Sequence, residues 1–439
     1  MLVSLTVLRT QRSFPNREIL DAYRETPARG HKGATSMTDA PVDTRVSPTL
    51  ISHPATNPFA PSADVAAMRR DRPLARMIFP DGHLGWIATS HALVRSIMAD
   101  KRFSARSELI HLPIPGMTQQ APAARPGMFI SMDPPEHTRY RSLLTGQFTV
   151  RRMRLLTERV EEITAERLEA MVAAGPGCDL VGVFAFPIPA LVISELLGVP
   201  AEDRGWFQER MGTLTRIDLP REEVMAAMNG MQEFMGELVD AKRVLPTDDV
   251  LSDLVNHADG LSDEELANIG FMLLGAGFET TGNMLAMGTL ALLRFRDQWD
   301  AWRADAGLTE GAVEELLRFV PLAPGGVRAA LEDVELDGEV VAAGESVMLS
   351  APGANRDPAK FADPDVLDVR RQATGHVSFG HGIHQCLGQQ LARVEMTVAF
   401  PALMRRLPSL RLAVGFDEVE WRTNTSILGV RALPVAWDD

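Results

Sequence analysis

From Ser262 the chain runs SDEELANIGFMLLGAGFETTGNMLAMGTLALLRF to Phe295 without a proline. Ser262 and Glu265 have the spacing of a capping box, in which each side chain satisfies an amide left unpaired at a helix start. The spacing predicts one helix of about 32 residues, a rod about 48 Å long at the α-helical rise. A rod so apolar on every side must lie inside a domain large enough to wrap it. Burial then makes Glu279, Thr280, Thr281 and Asn283 costly unless they are hydrogen-bonded or used.

The rest of the chain can supply that wrapping. It has 439 residues, 45% hydrophobic and 23% charged, the composition of a globular protein with a sizeable core. Arg151 to Ala174 carries Met153, Leu156, Val160, Ile163 and Leu168 at helical spacing. Trp206 to Leu245 gives two helix-like stretches split by Pro220, and the methionines of the second read as packing. After Pro321 the pattern changes: VELDGEVV alternates about Asp337-Gly338, a two-residue hairpin signal. Beyond Phe379, Leu387, Leu391, Val394 and Val398 return to helical spacing. The expected fold is mainly α with a small β region.

No Gly/Ser linker or charge run divides the chain after residue 60. Residues 9 to 60 are polar and broken by prolines, which predicts a poorly ordered arm. Met37 is the expected true start, with 1–36 a disordered or non-native leader and 37–439 a single domain. The net charge of -14 repels nucleic acid and anionic membrane surfaces. No stretch reaches the roughly 18 to 20 apolar residues of a membrane span, and MLVSLTVL at the amino end lacks the basic leader and cleavage site of an export signal. With only Cys178 and Cys386 in the chain, a disulfide framework is excluded and a reducing, cytoplasmic setting expected.

The segment Phe379-Gly380-His381-Gly382-Ile383-His384-Gln385-Cys386-Leu387-Gly388 is the most informative. Its glycines permit a tight turn and close approach of a flat ligand. Cys386 is expected at a helix amino end, where unpaired amides favour the thiolate, the form that binds metal. Cys178 is read as packing.

These residues carry a resemblance to the cytochrome P-450 superfamily, the haem-thiolate monooxygenases: Phe379, Gly382, Cys386 and Gly388 match its FxxGxxxCxG signature. Ala276-Gly277-Phe278-Glu279-Thr280-Thr281 resembles the acid-alcohol motif of the helix over the haem, with Glu279 and Thr280 in the places of the proton-relaying pair. On the residues themselves, Gly277 is read as leaving room for dioxygen, and Thr280 as bonding back to the preceding turn and opening the helix. Glu315 and Arg318 match the family's ExxR pair, with Arg371 as its third member. His137 and Arg141 match HxxxR, and Arg328 with His384 matches the other contacts to the haem propionates. Ala354-Asn355-Arg356-Asp357-Pro358 is similar to a family stretch and receives no chemistry.

The resemblance implies a helix-rich domain and a small β-sheet domain around a buried haem b held by Cys386, in the manner of the soluble bacterial members. It implies insertion of one oxygen atom from O2 into a lipophilic small molecule of secondary metabolism, with electrons from a ferredoxin or flavodoxin served by a separate reductase, in a monomer. Arg139, Arg151, Arg152, Arg154 and Arg393 are expected to form the docking face for that acidic partner. The substrate side is expected to be lined by 106–127, the helix pair around Pro220, Phe278, Leu322 to Val327 and Ser426 to Leu428, with Gly325-Gly326 either widening the site or serving a turn. A peroxide-driven peroxygenase would share the cysteine but have no need of Glu279-Thr280, and a non-catalytic haem-binding protein would need neither that pair nor a substrate pocket.

Overall fold

The computed structural model describes residues 57–114, 119–148, 150–214, 219–257, 260–422 and 427–438. The side chains of several helical residues, Arg151, Met153 and Arg154 among them, lie outside that description, as do the 1–36 leader, Met37, residues 9–56 of the expected arm and Ser426. The described residues fall in one compact unit.

Helices α1 (Ala63–Asp71), α2 (His91–Ala99), α3 (Glu136–Thr145), α4 (Val150–Ala174), α5 (Pro187–Leu196), α6 (Arg204–Leu214), α7 (Arg221–Val244) and α8 (Val250–His257) precede the long α9 (Asp263–Arg294). The sequence of α9 sets its bounds: Ser262 Oγ accepts from the Glu265 amide, and the Glu265 carboxylate accepts from the Ser262 amide. α10 (Arg296–Ala304), α11 (Thr309–Phe319), α12 (Ala351–Asn355) and α13 (Gln389–Arg406) follow. α9 packs against α5, α7 and α13, and α13 against α4. Gly288 allows α13 to approach closely, because a Cβ there would stand 2.7 Å from its Phe400 ring. No described helix is long and apolar enough to cross a membrane.

The sheet is small, as expected. β1 (Leu74–Ile78), β2 (Leu84–Ala88), β3 (Phe103–Ser104), β4 (Gly325–Ala330) and β7 (Ser346–Ser350) lie in the order β1-β2-β7-β4-β3, antiparallel except for β2 with β7. The VELDGEVV hairpin forms β5 (Val334–Leu336) and β6 (Glu339–Val341), with Asp337 at φ 53° and Gly338 at φ 80°, the left-handed pair of a type I′ turn. A short β8 (Arg411–Leu412) and β9 (Val435–Ala436) pair near the carboxyl end. Gly325 and Gly326 form no turn. They open β4 opposite Ser350 and Leu349, and a Cβ on Gly325 would collide with the Leu349 carbonyl, so strand contact explains this glycine.

The segment before α13 is fixed by a buried ion-pair network. Glu315 and Arg318, both with fully buried side chains, pair through two bonds of 2.7 and 2.8 Å, and Arg371 adds a third contact of 3.1 Å to Glu315. Arg318 also donates to the carbonyls of Asn355, Pro364 and Val366. The pair is thus a framework clasp, unlike an exposed i,i+3 pair worth a few tenths of a kcal/mol. Asn355 extends it, accepting from the Val377 amide and donating to Ser378 Oγ, which donates to the Leu317 carbonyl. Buried Arg356 donates to the carbonyls of Phe59, Phe319 and Pro364. Burial, with Arg318 nearby, lowers its pKa to about 9. The stretch given no chemistry is therefore what ties the amino end of the fold and α11 to the approach to Cys386.

Candidate active site

The turn that presents Cys386 is built on two left-handed glycines, Gly380 at φ 68° and Gly382 at φ 74°. A side chain at Gly382 would also strike the backbone at Met98 of α2. The Cys386 amide donates to the Phe379 carbonyl at 2.8 Å, closing the loop. Phe379 is half-buried, with the Arg393 guanidinium 4.6 Å from its ring centroid. A Cβ on Gly388 would meet nothing within 4 Å, so of these glycines it leaves open space beside the cysteine.

Of two expectations about Cys386, one holds and one is corrected. α13 begins at Gln389 with Gly388 as its cap, so Cys386 stands two residues before the cap, at the helix's amino end. Its thiol pKa is raised: burial dominates, and the Gly388 amide, Arg141 and Arg393 only partly offset it. Part of the residue stays exposed. The amide and cations at the helix's amino end favour the thiolate, but burial by the protein around the turn outweighs them.

Around it the structure gathers His137 and Arg141 of α3, Arg328 of β4 and His384 of the cysteine turn. The His137 and His384 rings lie 4.3 Å apart. Neither ring nitrogen of buried His137 has a hydrogen-bond partner among the described residues. Arg328 Nη1 donates to the carbonyl of its neighbour Val327. Burial lowers the pKa of each group, and at the two histidines repulsion from their neighbours adds to it: His384 falls to about 3 through burial, Arg328, His137 and Arg141. Asp133 opposes the shift at His137 and Arg328. Four donors compressed in this way form a site for an anion of more than one charge, and the two propionates of a haem beside Cys386 fit it.

On α9, Ala276 is exposed and Thr280 half-buried. The Thr280 hydroxyl donates to the Ala276 carbonyl at 2.7 Å, the back-bond expected from sequence. Gly277 serves helix packing as well: a Cβ there would stand 3.0 Å from Ile193 of α5. Glu279 is buried, and its carboxylate lies 2.9 Å from the Arg422 guanidinium. Asn283 donates to the Glu279 carbonyl at 2.9 Å. Buried Glu395 of α13 reaches Thr281, and burial pushes its carboxyl up to about 8 against the pull of the Thr281 hydroxyl.

Arg422 and Glu395 were not found from sequence. Arg422 is remote in the chain from Glu279 and has no motif around it. A Glu flanked by Val394 and Met396 on an apolar helix face was the available signal for Glu395. The proposed docking arginines are largely engaged: Arg139 with Glu265, Arg152 with Asp253, and Arg393 with Glu314. Arg139 links α3 to the start of α9, and Arg393 holds Glu314 beside His376. Arg151 and Arg154 have side chains outside the described residues. Cys178 is half-buried, its thiol pushed up by burial and Asp179.

The cytochrome P-450 family model matches residues 221–409. The chain is 45% identical over 395 residues to cytochrome P-450 105C1 of a Streptomyces species, a match covering 90% of this chain and 100% of that one. The chain belongs to the cytochrome P-450 family. It is also 40% identical over 393 residues to pentalenic acid synthase of Streptomyces avermitilis, covering 89% of this P-450 and 98% of the relative. Among solved structures, the cytochrome P-450 hydroxylase from the leinamycin biosynthetic pathway of Streptomyces atroolivaceus superposes with a TM-score of 0.80 at 42% identity, over 86% of this chain and 97% of that one. This P-450 is a haem-thiolate monooxygenase with haem b as its cofactor and O2 as a substrate.

Proposed function

We propose that Cys386 is the iron ligand of this monooxygenase, that His137, Arg141, Arg328 and His384 hold the haem propionates, and that Phe379, Gly388, Ala276 and Gly277 border the cofactor. The observation that carries this reading is the gathering of four buried or half-buried donors, two unpartnered His137 nitrogens among them, around the exposed Cys386. When bound, the haem supplies the oxygen-activating iron, and electron donation from a cysteine thiolate favours O–O cleavage. The protein's part is to orient the substrate, exclude water and move protons. Thr280 holds a hydroxyl proton on its bond to the Ala276 carbonyl, and Glu279, one residue earlier, replenishes it after turning from Arg422 and taking up a proton from solvent.

The substrate proposed is a lipophilic intermediate of secondary metabolism, of the size of a terpenoid or polyketide. The relatives named for pentalenic acid and for the leinamycin pathway support that class. Electrons come from a ferredoxin or flavodoxin with a separate reductase, and the enzyme works as a cytoplasmic monomer. The deciding experiment is an absorption spectrum of the dithionite-reduced protein under carbon monoxide, for wild type and Cys386→Ser. A red-shifted Soret band in wild type and its loss in the variant are expected. An unshifted wild-type band overturns the ligand assignment. Turnover with NAD(P)H and a surrogate ferredoxin chain, set against hydrogen peroxide alone, separates a monooxygenase from a peroxygenase.

A further inference from the structure

Away from the cysteine, two histidines lie face to face. His83, just after the turn between β1 and β2, and His111, in the segment that follows β3, have ring centroids 3.6 Å apart and planes within 3° of parallel. The Phe79 ring packs beside both, at 5.7 and 6.3 Å. His111 Nδ1 is 2.5 Å from an Asp81 carboxylate oxygen, and the Gln120 side-chain amide is 3.1 Å from His111 Nε2. Two bonds run to the start of β7: the His111 amide donates to Ser346 Oγ at 3.0 Å, and the Ser346 amide donates to His83 Nε2 at 3.1 Å. The His111 and Asp81 side chains are 18% and 11% exposed.

This geometry admits one protonation state of His83. A backbone N–H can only donate, so the Ser346 amide requires His83 Nε2 to be an unprotonated acceptor. A second proton on that ring would turn the acceptor into a donor facing a donor, and would set a cation against the stacked His111 ring. The titratable and charged groups facing His83 are His111 from the segment after β3, Asp81 from the hairpin turn, and Glu345 from the approach to β7. Glu345 is itself held by Arg76 of β1 at 2.5 Å. Burial, then His111, lowers the His83 pKa from its ordinary 6.5, with Asp81 and Glu345 opposing. The imidazole is therefore more basic once the contact opens. The pinned state is fully favoured above the ordinary value and is lost as pH falls below it.

We propose that His83, His111 and Asp81 form a proton-operated latch, which pins the segment around His111 to the start of the central strand β7 at neutral pH and releases it in acid. Released, the segment leaves the substrate side expected from the sequence, where 106–127 is part of the lining. That consequence rests on the substrate-side reading; the latch and its test do not.

The test is hydrogen exchange by mass spectrometry on the full-length, haem-loaded protein at about pH 7.5 and about pH 5.5, corrected for the chemical exchange rate. Peptides containing His111 should lose protection by about tenfold or more in acid. In His83→Gln the side-chain oxygen still accepts from Ser346 but cannot titrate, so protection should stay constant. Equal protection of the wild type at both pH values, or an acid loss that persists in His83→Gln, overturns the proposal. His111→Phe gives a second reading: it keeps the stacked ring and the Ser346 bond but replaces the imidazole that faces His83 with a group that cannot titrate, so its acid-dependent loss should shrink, and an unchanged loss counts against the latch.

Discussion

The Glu279 carboxylate and the Arg422 guanidinium stand 2.9 Å apart, with side chains only 9% and 17% exposed. Arg422 comes from the strand-like segment in which its amide donates to the Gly429 carbonyl, next to the Trp421–Val430 bridge. The acid in the middle of α9 is thus held by a residue near the end of the chain. A carboxylate held this way must exchange partners before it can pass a proton on.

Removing one member of such a pair leaves a buried charge alone. Arg422→Ala should lose about 3–5 kcal/mol of stability, and Glu279→Gln combined with Arg422→Gln should recover much of it. A double-mutant cycle by urea unfolding checks this, and a coupling near zero would show that the pair contributes nothing.

Thr280→Ala removes the hydroxyl that donates to the Ala276 carbonyl and leaves the α9 ladder intact. Haem content should be unchanged, while product formed per NAD(P)H consumed falls by about tenfold or more, with hydrogen peroxide making up the balance. Full coupling in the variant would remove Thr280 from proton delivery.

Local chemistry explains what could be read from sequence. Ser262 with Glu265 marked the start of α9, and Asp337-Gly338 marked the hairpin, because each feature closes within four residues. Motif resemblance reached Cys386, His137, Arg141, Arg328 and His384, since families keep spacing around a shared ligand. What stayed hidden depends on partners distant in the chain. The helix packing at Gly277 and the strand contact at Gly325 are explained by Ile193 and Leu349, Arg356 by the carbonyls of Phe59, Phe319 and Pro364, and the cysteine's raised pKa by how much protein surrounds it.

Glu315 is fully buried beneath two arginines. Glu315→Ala should cost about 3–5 kcal/mol and release the segment before Cys386, seen as lower haem retention and a lower midpoint in chemical denaturation. Arg318→Lys should fare little better, because one ammonium cannot reproduce the fork on Glu315 and also reach the carbonyls of Asn355, Pro364 and Val366. A lysine variant as stable as wild type would show that charge alone is what the site requires.

Glu395 gives the pH dependence its sign. It is 1% exposed, and neither carboxyl oxygen has a well-aligned hydrogen-bond partner among the described residues. Burial raises its pKa from 4.5 to about 8, with Thr281 pulling the other way. Below the ordinary value both the folded and the unfolded chain carry the proton, and Glu395 makes no pH-dependent difference. Above it the unfolded chain ionises while the folded one keeps the proton, so the wild type loses stability as pH rises, up to about 8. Glu395→Gln has nothing to ionise. The variant should therefore gain on the wild type across that window, by on the order of a few kcal/mol at its upper end. Urea unfolding of both proteins through the window measures the gap. Curves that stay parallel would mean that Glu395 ionises alike in the folded and unfolded chains, and diverging curves would establish a neutral acid behind α9 at neutral pH.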